Sequence, residues 1–323
     1  DLDSVSINYN DVINARKRII DYIYRTPLDK SMYLSNEDTN IYLKLECQQG
    51  MKCAKLRGAL SKLTSLNQDE IKKGVVAISS GNHGAAVSYG SYLLGIKNVT
   101  IYVPETSPKS KVEKIEYYGA NVVRVGENYD KAHEIGLERI KDSDSIFIDS
   151  CSDEEVIAGQ GTIALEIFEQ QPRIDTILIP VAGGGILTGI SVAAKHINPK
   201  VEIIGLQTAA CPAMKESLKD RVFYEMFPSE PSICDGLIGG VGEIPYNMAE
   251  QCIDDIWIVE EEDIGRAVSF LAKKEKIIGE PAGAIGVAAV EKNYSKLKGK
   301  NVAVVITGGN IDDKLFLELL NKY

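Results

Sequence analysis

The chain has 323 residues, 44% of them hydrophobic and 25% charged, with a formal net charge of −10. That length allows one large or two modest domains with a sizeable core. The acidic balance argues against a nucleic-acid partner, which needs a basic surface, and no run of about 18 apolar residues is present to span a membrane. Asp11 to Tyr24 reads as an amphipathic helix, Ile41 to Leu45 as a strand and Leu56 to Leu66 as a helix. Val75 to Ile78 is a short buried strand, followed by a small-residue helix from Asn82 to Leu94. Val99 to Val103 and Asn121 to Val125 read as strands, each followed by a helix, Lys109 to Tyr118 lying between them and Asp130 to Lys141 beyond. A helix is expected after Gly159-Gln160-Gly161, ending near Phe168. Thr176 to Pro180 is a strongly apolar strand that feeds a glycine loop and a helix to His196. Val201 to Leu206, Asp255 to Val259 and Val302 to Ile306 are further strands, and Glu260 to Lys276 and Asp313 to Asn321 are helices. This alternation predicts an α/β protein with parallel sheets covered by helices on both faces. Two such units are expected, and without a Pro/Gly/Ser linker between them they should be discontinuous in sequence.

The six cysteines are Cys47, Cys53, Cys151, Cys211, Cys234 and Cys252, and none forms Cys-x-x-Cys. They read as reduced thiols in buried or half-buried positions of a cytoplasmic protein, with Cys53 a candidate to line a site. The N-terminal Asp1-Leu2-Asp3-Ser4 lacks an apolar h-region, so no secretory signal is expected there. No metal-ligand spacing of His, Cys, Asp or Glu and no Gly-x-Ser-x-Gly elbow appears.

Four segments carry chemistry. Lys55 stands in Lys55-Leu56-Arg57-Gly58-Ala59, and Ser79-Ser80-Gly81-Asn82-His83 follows a strand. Ala182-Gly183-Gly184-Gly185-Ile186 joins a strand to a helix, and Thr307-Gly308-Gly309-Asn310 follows the last strand. Backbone N–H groups at Gly183 to Ile186 suit a phosphate, although a tight strand–helix turn reads the same way. A dinucleotide site would want its third glycine one place before Gly189 and an acid where Leu206 and Gln207 stand, so that reading is weak. His83 at a helix start more often serves as a structural hydrogen-bonding group than as a base. An amine, an anion loop, a polar loop and a hydroxyl together are the parts that hold pyridoxal 5'-phosphate.

With Arg25-Thr26-Pro27-Leu28 and Val156-Ile157-Ala158-Gly159-Gln160-Gly161-Thr162, these segments stand in one order that resembles the fold-type II pyridoxal-phosphate enzymes, in the threonine dehydratase and serine racemase branch. The resemblance covers nearly the whole chain. It implies two parallel-sheet, three-layer αβα domains of the tryptophan synthase β-like kind. Residues 1–66 and 152–323 would form the large cofactor-binding domain, and 74–150 the small substrate-side one. It implies that Lys55 forms the imine with the cofactor, that Asn82 bonds its phenolic oxygen and that Gly183, Gly184, Gly185 and Ile186 hold its phosphate. Thr307 would contact the pyridine nitrogen, and Ser79, Ser80, Gly81, Asn82 and His83 would take the substrate carboxylate. Ser80 matches the serine that reprotonates the opposite face in serine racemases. The expected partners are a small amino acid and further copies of the chain, as a homodimer or homotetramer.

Four departures qualify the match. The family's Thr-Gly-Ser-Phe before the lysine is Met51-Lys52-Cys53-Ala54 here, and loss of the Phe is expected to open space beside the cofactor. Ala182 begins the phosphate loop, and Thr307 replaces a serine while keeping the hydroxyl. Gln207 and Ala213 stand where metal-binding racemases carry carboxylates, so no metal site is expected. The resemblance implies a threonine or serine ammonia-lyase, with Lys55 as the base at Cα. The rivals are a serine racemase, supported by Ser80, and an ammonia-lyase for a larger β-hydroxy amino acid. A binding protein that keeps the fold without turnover and a nucleotide-binding α/β protein are rivals of other classes. The sequence ends soon after Thr307, so no C-terminal regulatory domain like those of biosynthetic threonine dehydratases is expected.

Overall fold

Short apolar runs become strands, and the stretches between them become helices laid across those strands. The computed structural model describes residues 7–323, so the acidic Asp1-Leu2-Asp3-Ser4 segment lies outside the described residues. Helix α1 (Tyr9–Ile19) opens with a capping box in which Asn8 and Asp11 satisfy each other's N–H groups. It ends at Ile19, short of the expected Tyr24, where the chain leaves the helix in a turn closed by the Tyr22 N–H on the Ile19 carbonyl at 2.9 Å. Strands β1 (Leu28–Lys30) and β2 (Asn40–Lys44) follow, then α2 (Lys55–Ser65), α3 (Gln68–Lys73) and β3 (Val75–Ile78). Next come α4 (Asn82–Leu93), β4 (Val99–Val103), α5 (Lys109–Tyr117), β5 (Asn121–Arg124), α6 (Tyr129–Lys141) and β6 (Ile146–Phe147). The second half runs α7 (Glu154–Gln170), β7 (Thr176–Pro180), α8 (Gly185–Ile197), β8 (Glu202–Thr208), α9 (Ala213–Asp220) and α10 (Glu243–Cys252). It closes with β9 (Asp255–Val259), α11 (Glu261–Phe270), α12 (Pro281–Lys292), β10 (Asn301–Val305) and α13 (Asp313–Lys322).

Six strands form one sheet in the order β1-β2-β10-β7-β8-β9, and four form another in the order β5-β4-β3-β6. Every ladder is parallel except that of β1, which runs antiparallel to β2 at the edge. Both faces of the larger sheet are covered. Ile177, Ile179, Ala303 and Val305 pack with α7, α8 and α10, while Leu178, Val302 and Val304 point the other way, into α11 and α12. On the smaller sheet, Val75, Ala77, Val99 and Ile101 pack against α2, α4 and α5. Its other face is covered by α6, where Gly136 lies on Ile78 and Tyr102. The protein is thus an α/β fold of two three-layer units, the tryptophan synthase β-like arrangement.

One helix was expected to start after Gly161, but α7 begins at Glu154 and carries that glycine inside it. The reason is helix–helix spacing. A Cβ on Gly161 would lie 2.7 Å from the Gly189 carbonyl oxygen of α8. Glycine there ends nothing and lets two buried helices meet backbone to backbone.

Between α2, α7 and β2 lies a fully enclosed ionic cluster. Arg57 donates to Glu46 (2.6 and 2.9 Å), to Glu166 (2.6 and 3.0 Å) and to the Thr162 hydroxyl (3.1 Å). Lys44 donates to Glu166 (2.8 Å), the Thr26 carbonyl (2.8 Å) and Gln170 (3.0 Å). The Thr26 hydroxyl donates to Glu46 at 2.6 Å. Burial alone would lower the pKa of Arg57, but Glu46 and Glu166 outweigh it and raise it. Residues from the Arg-Thr-Pro-Leu, Lys-Leu-Arg-Gly-Ala and Gly-Gln-Gly-Thr segments therefore meet in one polar core.

Candidate active site

Lys55 is the first residue of α2, and its Nζ donates to the Ser150 carbonyl at 3.3 Å. The next residue, Cys151, packs against Gly183 and Gly185 of the glycine loop. Just ahead of Lys55, the Ala54 N–H donates to the Thr307 carbonyl at 2.9 Å, and Cys53 forms a β-bridge with Gly308. The Cys53 thiol lies 3.9 Å from the Asn82 carbonyl oxygen. Asn310 Nδ2 donates to Asn82 Oδ1 at 2.9 Å. A chain of direct contacts thus joins all four segments singled out in the sequence around the start of α2.

The strand ends dictate this convergence. In parallel sheets the loops that leave the carboxyl ends of the strands share one edge, and sites gather there. The Ser79–His83 segment leaves β3 and enters α4, the glycine loop leaves β7 and enters α8, and the Thr307 segment leaves β10. Gly184 sits at φ +99°, a left-handed turn that an L side chain resists, so the loop can reverse into α8 within two residues. Neither α4 nor α8 has a side-chain cap. Their first N–H groups are therefore left as donors, the arrangement that binds a phosphate or a carboxylate. Two such helix ends, with a free amine between them, match a ligand bearing a phosphate and an aldehyde that takes an amino acid. The donor set fits pyridoxal phosphate.

His83 is buried, with Nε2 2.9 Å from the Ile148 carbonyl oxygen. Burial pushes its pKa down to about 4, so at neutral pH the ring is uncharged and Nε2–H donates to that carbonyl. The thiols of Cys53 and Cys151 are both pushed up to about 12 by burial and stay protonated. All six cysteines are free, five buried and Cys151 half-buried. Ser79 Oγ accepts from the Gly81 N–H at 3.1 Å, shaping the turn, whereas the Ser80 hydroxyl has no hydrogen-bond partner among the described residues. The Thr307 hydroxyl likewise has none among the described residues, although its backbone is held by Ala54.

Two details differ from expectation or extend it. The space expected beside Ala54 is not there: its methyl is fully buried in the apolar cluster of α7 and α8. At the position read as a lost metal ligand, Gln207 Oε1 accepts from the Lys215 N–H at 3.0 Å and Nε2 donates to the Val181 carbonyl at 3.3 Å. A neutral amide there is occupied by the protein's own backbone.

Sequence reading passed over Glu280. Glu280 is buried at the N-cap position of α12, but its carboxylate turns away from the helix, and its two oxygens accept from Asn82 Nδ2 (2.9 Å) and the Asn310 N–H (2.8 Å). Burial pushes its pKa up to about 7. The signal available was Glu280-Pro281, an acid ahead of a proline that can open a helix, but nothing in it points to Asn82.

Comparison with known proteins agrees with this geometry. The family model described as pyridoxal-phosphate dependent enzyme matches residues 19–308. An L-threonine ammonia-lyase of Thermotoga maritima is 39% identical over 318 residues, 98% of this chain and 79% of its own length. A catabolic L-threonine dehydratase of Staphylococcus aureus is 38% identical over 312 residues, 95% of this chain and 90% of its own. The solved structure of maize serine racemase superposes with a TM-score of 0.89 at 29% identity and covers 98% of each chain.

Proposed function

The chain belongs to the pyridoxal-phosphate-dependent enzymes, in their threonine dehydratase and serine racemase branch, and on that premise we propose an ammonia-lyase for L-threonine and L-serine. It releases a 2-keto acid and ammonia by β-elimination, with pyridoxal 5'-phosphate as cofactor. The observation that carries this reading is the chain of contacts that joins the start of α2, where Lys55 stands, to the glycine loop, the Ser79–His83 segment and the Thr307 segment. The bound cofactor supplies an aldehyde that takes up an amine and a conjugated ring that draws electrons from Cα.

The chain's own residues divide the remaining work. Lys55 would be the point of attachment for the cofactor, and its amine would serve as the general base for the Cα proton. The N–H groups of Gly183 to Ile186 hold the phosphate, and those of Ser79 to His83 hold the substrate carboxylate. Asn82 would donate to the phenolic oxygen. Thr307 would offer the ring nitrogen a neutral hydroxyl and no charged partner, which suits elimination. The enclosed Ala54 methyl leaves no extra volume there for a larger β-hydroxy amino acid.

We assign residues 1–66 and 152–323 to the large domain and 74–150 to the small one. We place the enzyme in the cytoplasm, because six free thiols suit a reducing compartment. No helix of the described residues is long and apolar enough to cross a membrane. We assign it a homodimeric or homotetrameric state, for which the exposed Tyr92 and Tyr117 beside Tyr118 offer an aromatic surface.

The test is chemical. Borohydride treatment of the purified enzyme should fix the cofactor on the peptide containing Lys55, and L-threonine should give keto acid with little D-threonine. A label on another lysine would sink the assignment of Lys55. Racemisation that outpaces keto-acid release would favour the racemase reading.

A further inference from the structure

Asn82 is held by two neighbours whose own orientations are fixed by charge. At one end, Lys114 Nζ on α5 donates to Asn310 Oδ1 at 2.8 Å. An ammonium has donors and no acceptor, so the Asn310 oxygen must face it. Asn310 Nδ2 then points the other way and donates to the Met51 carbonyl (2.8 Å) and to Asn82 Oδ1 (2.9 Å). That turns Asn82 Nδ2 toward Glu280 Oε1 at 2.9 Å. At this far end stands a carboxylate, which accepts and cannot donate when ionised. The chain Lys114→Asn310→Asn82→Glu280 therefore runs in one direction. Turning the Asn82 amide over would set oxygen against oxygen at Glu280 and N–H against N–H at Asn310.

An asparagine amide has two N–H donors. Glu280 takes one, and the other has no acceptor among the described residues. We infer that Glu280 is a positioning residue: as the acceptor end of this relay, it holds the Asn82 amide so that its second N–H is offered to the cofactor. The inference rests on the reading that Asn82 meets the cofactor. It adds a residue that touches neither substrate nor reacting atoms in that scheme and acts through another side chain. The relay also joins α4 and α5, which flank the smaller sheet, to the loops after β10 and before α12.

A double-mutant cycle on the full-length holoenzyme tests it. Equilibrium dialysis reads cofactor affinity in the wild type, Glu280→Gln, Asn82→Ala and the double variant. A glutamine cannot accept at both ends, so Glu280→Gln should weaken cofactor binding about tenfold, the scale of one misdirected hydrogen bond. The same change in the Asn82→Ala background should cost less than about twofold, because nothing remains to be oriented. Lys114→Met, which frees the donor end, should weaken binding about threefold and keeps the test open if Glu280→Gln does not fold. Equal loss in both backgrounds would show that Glu280 acts independently of Asn82 and overturn the inference. So would unchanged affinity in Glu280→Gln. The cycle repeated on urea unfolding of the cofactor-stripped chain reads the Asn82–Glu280 bond by itself. Coupling there without coupling in cofactor affinity also overturns the positioning role. A wild-type enzyme with no borohydride label on Lys55 defeats the functional reading at once, before any variant is compared, and this inference with it.

Discussion

Two polar regions meet at helix α2, and they are built on opposite plans. Residues two apart on a helix lie about 200° apart around its axis, so Lys55 and Arg57 leave α2 in nearly opposite directions. Arg57 enters a cluster in which two cations and two carboxylates saturate one another, with hydroxyls and carbonyls filling the remaining places. Lys55 enters a region where the helix ends, the Ser80 hydroxyl and one N–H of Asn82 are left as donors among the described residues. The closed region fixes where the helix starts. The open region keeps its hydrogen bonds for a ligand. The same residue types serve stability when they satisfy each other and function when they do not.

Swapping the two side chains' fates separates the regions. Lys55→Ala should lower kcat/KM for L-threonine by roughly 10³-fold or more, since it removes both the base and the point of attachment. Its stability in urea should change by less than about 1 kcal/mol, because among the described residues the amine's one hydrogen bond is to the Ser150 carbonyl. Arg57→Ala should do the reverse. It leaves Glu46 facing no cation and Glu166 facing only Lys44 in a dry core, at a cost of about 3–5 kcal/mol. A urea midpoint for Arg57→Ala close to the wild type would show that water reaches the cluster, and the contrast would fail.

The two regions were also unequally legible. The open one was readable because its parts are loops with special residues: Gly183 to Gly185, Ser79 to His83, and a lysine in a recurrent run. The closed one was not, because Lys44 at the end of β2 and Glu46 just after it carry no local sign of pairing, and Glu166 lies 122 residues from Lys44 and 109 from Arg57. The same limit hid Glu280, which lies 198 residues from Asn82. Strands fared well. Val75–Ile78, Thr176–Pro180 and Asp255–Val259 are short apolar runs bounded by turns, and they fold over those spans. Helix α12 escaped notice because it is buried nearly all round and shows no polar face. Strands β1 and β6, three and two residues long, are too short for a pattern.

Within the open region, Glu280 is the group whose charge matters most, and pH sharpens the contrast with the closed cluster. Glu166 is held below the usual carboxylate range: burial would raise it, but Arg57 and Lys44 outweigh that. Glu280 has no such partner in contact among the described residues, and burial pushes it up to about 7 against the pull of its hydrogen bonds and of Lys111 and Lys114 on α5. The other titratable side chains facing it, Cys47 and Cys53, are pushed up to about 12 by burial and stay neutral. Because the folded carboxyl is raised, its contribution to stability is present below the ordinary carboxylate pKa and is lost as pH rises through about 7. Its service to Asn82 has the opposite sign, since the relay needs the ionised acceptor. Cofactor affinity of the wild type should therefore fall about tenfold between pH 8 and pH 6, and Glu280→Gln should lack that limb. Identical profiles for the two proteins would remove Glu280 from the relay.

The smallest expected effect decides between elimination and racemisation. Racemisation needs a proton donor or acceptor on each face of Cα, whereas elimination needs Lys55 on one face only. Ser80 is the residue offered for the second face. A serine hydroxyl is a weak acid unless a neighbour tunes it, and the Ser80 hydroxyl has no hydrogen-bond partner among the described residues. The nearest histidine in sequence, His83, spends its Nε2 on the Ile148 carbonyl and is neutral. The carboxylate loop also holds its ligand mainly through backbone N–H groups, which a side-chain change leaves in place. Ser80→Ala should therefore keep keto-acid formation from L-threonine within about threefold of the wild type, the scale of one lost hydroxyl contact. Racemisation, and any elimination from the D-enantiomer, should fall at least about tenfold. Parallel loss of all three activities would mean that Ser80 serves the steps they share, and the open region would then depend on this hydroxyl as well as on its backbone donors.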